Sequence, residues 1–272
     1  MNEQHRGRLT RDGIRIHDQA AFAGMHAAGA LAAKILDDVA EHVYVGQTTG
    51  AINAFIEAQV NAAGATSATI GYKGYQHASC ISVNHVVCHG IPSEKKLSDG
   101  DILNIDVTVI VDGWYGDTSR MYVAGKLSRK SERLIQVTHD ALMIGIEAVK
   151  PGNTFGDIGH AIQSFVERQR MSVVRDFCGH GLGRVFHSPP NVLHYGRAGT
   201  GPVLEEGMFF TIEPMVNLGR PETKILSDEW TAVTRDKSLS AQFEHSIGVT
   251  SDGHEIFTLS PADKFHPTFS SG

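Results

Sequence analysis

Residues 102–111 constrain the chain more than any other stretch. Leu103, Ile105, Val107, Val109 and Val111 alternate with Asn104, Asp106 and Thr108. Successive side chains of a strand point to opposite sides, so this period of two predicts a strand with an aliphatic face and a polar face. Asp112-Gly113 is a hairpin turn signal, and residues 117–123 read as the returning strand. With those two as the turn residues, position 106 faces 119 and position 108 faces 117. Asp117 is then a diagonal same-face neighbour of Asp106, within reach of a cross-strand interaction. On a buried face two such carboxylates repel and lose hydration, a conflict that a divalent cation resolves. A solvent-exposed face accommodates the same residues with no ion, and the hairpin by itself does not choose.

Helices are predicted on both sides of this hairpin. Met25, Ala28, Leu31, Ala32, Ile35, Leu36 and Val39 recur at helical spacing across residues 20–39. Ile52, Phe55, Ile56 and Val60 form the stripe of a second helix that follows Thr48 and Thr49 and ends near Gly64. A third runs from about Ser131 and stops before Pro151-Gly152. A fourth opens at Thr154, where Thr154 and Asp157 have the spacing of a capping box. Further strands fit residues 208–213 and 242–250. The order of helices, strands, helices, strands is that of an α+β or mixed protein rather than a βαβ series.

Gly46-Gln47-Thr48-Thr49-Gly50-Ala51-Ile52 is similar to Gly152-Asn153-Thr154-Phe155-Gly156-Asp157-Ile158, each opening an amphipathic helix. This faint repeat hints at two similar halves that close one site between them. No Pro- or Ser-rich linker interrupts the chain, so residues 1–260 are expected as a single domain. Residues 261–272, which include Pro261 and Pro267, are expected as a mobile tail.

The 272 residues carry a net charge of −6, so no global basic field recommends nucleic acid or an anionic membrane as a partner. No apolar segment approaches the ~20 residues of a membrane span, and no early stretch has the layout of a secretory signal. Cys80, Cys88 and Cys178 are odd in number and do not make a disulfide framework, so a reducing, cytoplasmic compartment is expected.

Three more segments add chemistry. Glu213 lies in a strand otherwise built of Met208, Phe209, Phe210 and Ile212. Glu244 alternates with Gln242 and Ser246 on a polar face. His180 sits in a glycine-rich bend, where the backbone lets a ligand approach closely. Each has a bland reading, as a paired strand acid or a loop histidine. Together the four carboxylates and one imidazole suit manganese, iron, cobalt or zinc, and bridging acids commonly hold two such ions ~3.5–4 Å apart in hydrolases. A structural zinc site of Cys88, His89, Cys178 and His180 is the rival. It lacks C-x-x-C spacing and leaves the acids unexplained.

Cys88-His89-Gly90-Ile91-Pro92, Asn104-Ile105-Asp106, Gly116-Asp117-Thr118-Ser119, the run from Cys178-Gly179-His180 to Phe186-His187, Thr211-Ile212-Glu213-Pro214-Met215 and Ala241-Gln242-Phe243-Glu244-His245 resemble motifs of the type I methionine aminopeptidases, in that family's order. The likeness covers roughly residues 10–260. It implies the pita-bread (creatinase/aminopeptidase-like) fold, two pseudo-symmetric α+β halves around a dinuclear metal site. Asp106, Asp117, His180, Glu213 and Glu244 are implied as ligands of two divalent ions (cobalt, manganese, iron or zinc), with Asp117 and Glu244 bridging. His89 and His187 match two catalytic histidines outside the ligand set, and Glu213 is implied as a proton shuttle as well as a ligand. Tyr72, Tyr75, Cys80, Phe186 and Trp230 match a pocket for the methionine side chain, and an aromatic, cysteine-containing surface suits a thioether. Asn84, Val86 and Ser240 align with a monovalent-cation site.

The implied activity is removal of the initiator methionine from nascent polypeptides with a small second residue, by hydroxide attack on the first peptide bond. The implied partners are N-termini emerging near the ribosome, and the implied state is a monomer. Thr69 departs from a common pocket cysteine, Lys73 and Gln76 vary a pocket loop, and His85 stands where an acid is common. A prolidase or proline aminopeptidase on the same fold is the alternative. Those enzymes usually carry an extra N-terminal domain, whereas 88 residues precede His89, and they lack the Cys88–Pro92 motif. A non-enzymatic binding protein would typically have lost ligands. Only 25 residues separate His187 from Glu213, too few for the helical insertion of type II enzymes.

Overall fold

The aliphatic face of the predicted hairpin is covered by the first two helices. In the computed structural model, which describes residues 7–264, helix α1 (Gln19–Asp38) and helix α2 (Thr49–Ala62) share one core with that face. Ile35, Leu36, Ile52 and Ile56 pack with Leu103, Ile105, Val107 and Val109, all of them buried. Each such side chain contributes ~1.5–3 kcal/mol on burial, so the period of two in the strand and the 3.6-residue period in the helices specify one another. Asp18 caps α1 by accepting from the Ala21 N–H, and the Thr48 hydroxyl caps α2 by accepting from the Ala51 N–H, both at 3.1 Å.

Strands Asp101–Val111 and Trp114–Ala124 pair antiparallel along their whole length, with Asp106 opposite Ser119 and Thr108 opposite Asp117, as the turn predicts. Cys80–Val83 and Thr66–Ser67 pair with the other edge of Asp101–Val111, and Cys80 faces Asp106.

The second half repeats the plan. Helices α3 (Arg129–Glu147) and α4 (Phe155–Arg168) bury Leu134, Leu142, Ile158 and Ile162 with Phe210, Ile212 and Ile247 of a five-stranded sheet. Its strand order is Ser188–Val192, Gly179–Gly181, Phe209–Ile212, His245–Val249 and His254–Ile256. Helix α3 opens two residues earlier than expected because the Ser128 hydroxyl accepts from the Ser131 N–H and caps it. The capping box of α4 is present: Asp157 Oδ2 accepts from the Thr154 N–H at 2.7 Å and from its hydroxyl at 2.8 Å.

The strands expected over 208–213 and 242–250 are each interrupted. Phe209–Ile212 gives way to Met215–Asn217, and Ser240–Gln242 gives way to His245–Val249. Pro214 has no N–H to continue the ladder. Ile212 pairs with His245 and Met215 with Gln242, so one register runs through the gap and sets Glu213 opposite Glu244.

The two halves are stitched at this gap. The Glu244 carbonyl accepts from the Thr118 hydroxyl at 2.7 Å, and the Glu244 N–H donates to the Ser119 carbonyl at 3.1 Å. Asn104 Nδ2 donates to both Ser119 Oγ and the Gln242 carbonyl. At the C-terminal end, Ser260 and Ala262 hydrogen-bond Asp37, which also receives Arg120 at 2.6 Å. Residues 265–272, the rest of the expected tail, lie outside the described residues. No described helix is long and apolar enough to cross a membrane.

Candidate active site

The polar face of the hairpin looks into the second half of the molecule, not into solvent. Asn104, Thr108 and Asp117 are each no more than 3% exposed, which excludes the solvent-exposed alternative. Between the halves lies a cavity of about 340 Å³ lined by all twelve residues expected to serve as ligands, catalytic groups or side-chain pocket.

The acids arrive from four strands or strand ends. The Thr108 hydroxyl donates to Asp117 Oδ1 at 2.6 Å. His180 Nε2 stands 3.4 Å from Asp117 Oδ2 and 3.7 Å from Glu213 Oε1. The Thr211 hydroxyl donates to Glu213 Oε1 at 2.8 Å and accepts from the His180 N–H at 3.1 Å. Gln242 Nε2 donates to Glu213 Oε2 at 3.2 Å. One ligand atom each of Asp117, His180 and Glu244 lies within 4.8 Å of the others. Among the described residues, buried Asp106 Oδ1 has no hydrogen-bond partner.

The electrostatics of the cluster are those of a cation site. Burial pushes Asp106 well above the usual carboxylate range, and the neighbouring Asp117 and Glu213 push it further. Glu244 is raised in the same way by burial and then by Asp117. Burial, reinforced by Asp117 and opposed by His180 and the Thr211 hydroxyl, brings Glu213 up to about 7. For His180 burial acts downward, but Asp117 and Glu213 together outweigh it and raise the imidazole. Packed acids that resist ionising beside one another, an orphaned buried oxygen and a single imidazole make a donor set that fits divalent cations. The rival thiol site does not form. His180 Nε2 turns toward Asp117 and Glu213, and burial raises the Cys88 thiol well above its ordinary value, away from the thiolate that zinc needs.

His89 and His187 flank the cluster. Both have left-handed backbone, with φ of 56° and 59°, a conformation uncommon for residues other than glycine and typical of functional sites. Burial, followed by the charge of His180, pushes His187 down to about 4. Burial likewise lowers His89. Each ring is therefore neutral near pH 7 and offers one N–H donor and one acceptor.

The aromatic pocket adjoins both histidines, Tyr72 at His187 and Trp230 at His89. Tyr75 and Trp230 meet edge to face at 4.9 Å, and Tyr72 lies 4.8 Å from Phe186 and 5.1 Å from His187. Burial raises the thiol of Cys80, so that wall is uncharged. Thr69 lines the cavity and donates its hydroxyl to the His77 carbonyl at 2.7 Å. Asn84, Val86 and Ser240 are not in the cavity wall. The Asn84 carbonyl accepts from the Ser240 N–H at 2.9 Å, and buried Ser240 Oγ has no partner among the described residues.

Sequence reasoning missed the residues that orient the acids. The alternation puts Thr108 and Gln242 on the polar faces of Asp106 and Glu244 without giving them a role, and Thr211 lies two positions before Glu213. His194, fully buried, accepts from the Glu213 N–H at 3.0 Å through Nε2, and nothing in the sequence marked it. Phe177 and Met215 also line the cavity.

Residues 23–251 match Metallopeptidase family M24. The methionine aminopeptidase of Rickettsia prowazekii (strain Madrid E) is 58% identical over 258 residues, 94% of this chain and 99% of that protein. The methionine aminopeptidase of Escherichia coli (strain K12) is 51% identical, covering 88% of this chain and 91% of its own. The crystal structure of the Rickettsia prowazekii methionine aminopeptidase has a TM-score of 0.90 and 58% identity to this chain, covering 90% of this chain and 100% of its own. The prolidase from Pyrococcus horikoshii OT3, at 21% identity and a TM-score of 0.71 over 89% of this chain and 63% of its own, shares the pita-bread fold alone. The chain belongs to metallopeptidase family M24, among its methionine aminopeptidases.

Proposed function

We propose that the chain removes the N-terminal methionine from newly made polypeptides whose second residue is small. The observation that supports this most directly is the union, in one cavity, of the acid and imidazole cluster with five pocket residues that carry no charge. Asp106, Asp117, His180, Glu213 and Glu244 would hold two divalent ions, manganese, iron, cobalt or zinc, with Asp117 and Glu244 shared between them. Such ions supply Lewis acidity and lower the pKa of a water from about 15.7 toward ~7.

The chain's own groups do the rest. His187, neutral and beside His180, donates its ring N–H to the scissile carbonyl oxygen as that oxygen gains charge, a contribution commonly of ~3–4 kcal/mol for a well-placed donor. His89, near Phe177 and Trp230, hydrogen-bonds the scissile nitrogen and helps the amine depart. Glu213 takes a proton on its carboxylate and returns it to the leaving amine. Tyr72, Tyr75, Cys80, Phe186 and Trp230 enclose the methionine side chain, and a Lys or Glu there would bury an unpaired charge. The space between His89 and His187 confines the second residue. Asn84, Val86 and Ser240 would hold a monovalent cation, and the protein would act as a cytoplasmic monomer on nascent chains.

The test is release of the first residue from Met-Ala-Ser, Met-Leu-Ser, Lys-Ala-Ser and Ala-Pro peptides by metal-loaded protein. Met-Ala-Ser should be cleaved and the others spared. Efficient cleavage of Lys-Ala-Ser would remove the methionine pocket, and cleavage of Ala-Pro with Met-Ala-Ser spared would favour the prolidase reading.

A further inference from the structure

Beside the acid cluster the cavity carries a charge that the reaction above does not use. Lys73 stands at the tip of a tight loop closed by the Gly71 N–H to the Tyr75 carbonyl at 2.7 Å and the Tyr75 N–H to the Tyr72 carbonyl at 2.9 Å. Its backbone is left-handed (φ 46°, ψ 29°), so the loop holds a long cationic side chain where glycine fits more easily. The side chain lines the cavity, with Nζ 5.4 Å from the centre of the Tyr72 ring, and among the described residues no carboxylate forms an ion pair with it. Its field reaches both imidazoles at the scissile bond. After burial, Lys73 is the charge that lowers His89, and it acts in the same direction on His187. Asp176 also lines the cavity, but its Oδ2 accepts the Thr223 hydroxyl at 2.5 Å and its charge is felt at Cys88 rather than at either imidazole.

We propose that Lys73 is a specificity residue that favours a carboxylate immediately beyond the small second residue of the substrate, an inference that rests on the aminopeptidase reading. The carboxylate has two sources, an Asp or Glu side chain at the third position or the free C-terminus of a tripeptide. An ion pair at an accessible rim changes a rate by up to about five-fold, and salt screens it.

The experiment compares kcat/KM of the metal-loaded protein for the amides of Met-Ala-Asp-Gly, Met-Ala-Asn-Gly and Met-Ala-Lys-Gly. Met-Ala-Ser with a free or amidated terminus separates the second source from the first. The wild type should prefer Asp over Asn by about three- to five-fold and Asn over Lys, with the ratios shrinking at about 0.5 M salt. Lys73→Met should bring the ratios toward one, and Lys73→Arg should keep them. Unchanged ratios in Lys73→Met, or a wild-type preference for Lys, would overturn the proposal while cleavage of the Asn peptide leaves the aminopeptidase reading standing. Failure to cleave the Asn peptide at all would overturn that reading and this proposal with it.

Discussion

The two strand pairs that carry the acids solve the same problem by different means. Asp106 and Asp117 stand on an unbroken hairpin, paired from Asp101 and Ala124 down to Val111 and Trp114 at the turn. Glu213 and Glu244 stand in a gap, where Pro214 interrupts the ladder while the register on either side is kept. In the first pair the pleat alone puts both carboxylates on one face. In the second the break frees the Glu244 N–H and carbonyl, and these bond the first hairpin at Ser119 and Thr118. The continuous pair therefore supplies a fixed platform, and the broken pair supplies both two acids and the seam that holds the halves together. Rigid strands on both sides suit a site whose ligands must be held to a fraction of an ångström.

Removing divalent ions should have the largest effect, because both pairs face an empty conflict of charges without them. Chelation is expected to abolish release of methionine, and manganese, iron or cobalt to restore it. Full activity in protein shown by elemental analysis to be metal-free would contradict the whole site.

Next come two of the histidines that line the cavity. His89→Ala should lower kcat by ~10²-fold with metal content close to normal, as for a lost proton-transfer group. His180→Ala should lose metal as well as activity. Equal metal loss in the two variants would mean that His89 is a ligand.

The orienting hydroxyls compare the pairs directly. Thr108 bonds Asp117 on the continuous hairpin, and Thr211 bonds Glu213 beside the gap. Thr108→Val and Thr211→Val should each weaken metal affinity by about 10-fold. A loss confined to one variant, measured by competition with a fluorescent chelator, would show that the two halves do not support the ions equally.

The smallest effects lie far from the site, at the helix starts that gave the internal repeat. Thr48→Ala and Asp157→Ala should each cost ~1 kcal/mol of unfolding free energy. They should part company with pH. The Asp157 carboxyl is held below its ordinary range, first by the Thr154 N–H, then by the Thr154 hydroxyl and the Gly199 N–H. Its contribution is fully present above the unfolded-state pKa and is lost as pH falls through the folded one. The deficit of Asp157→Ala relative to wild type should therefore hold steady above the unfolded-state pKa and fade as pH falls below it toward the folded one, read in denaturant titrations, whereas that of Thr48→Ala, a neutral cap, should show no such carboxylate step.

How far each region could be read from sequence follows from the same contrast. The hairpin announced its register because Asp112-Gly113 fixes which residues face each other, and the alternation of Leu103 through Val111 fixes which side is core. The four helices were legible from apolar spacing, with an error of two residues at Ser131 because the Ser128 cap was not recognised. The second pair had no such turn. Strands Thr223–Ile225 and Ala232–Thr234 intervene between its members, so the facing of Glu213 and Glu244 and the break at Pro214 emerge only in three dimensions. His194 was silent for the same reason, since its partner is a backbone N–H nineteen residues on, at Glu213. The gathering of His89, His187 and the aromatic pocket could be anticipated only through resemblance, because their segments share no periodicity.

The claim that one acid from each half shares the same ions is open to direct titration. Calorimetric titration of manganese into metal-stripped wild type, Asp117→Asn and Glu244→Gln compares one acid from the continuous pair with one from the broken pair. The wild type should bind two ions per chain, and both variants should lose the tight phase to a similar extent, each with folding verified by its thermal transition. Wild-type affinity and stoichiometry in either variant would contradict a shared centre.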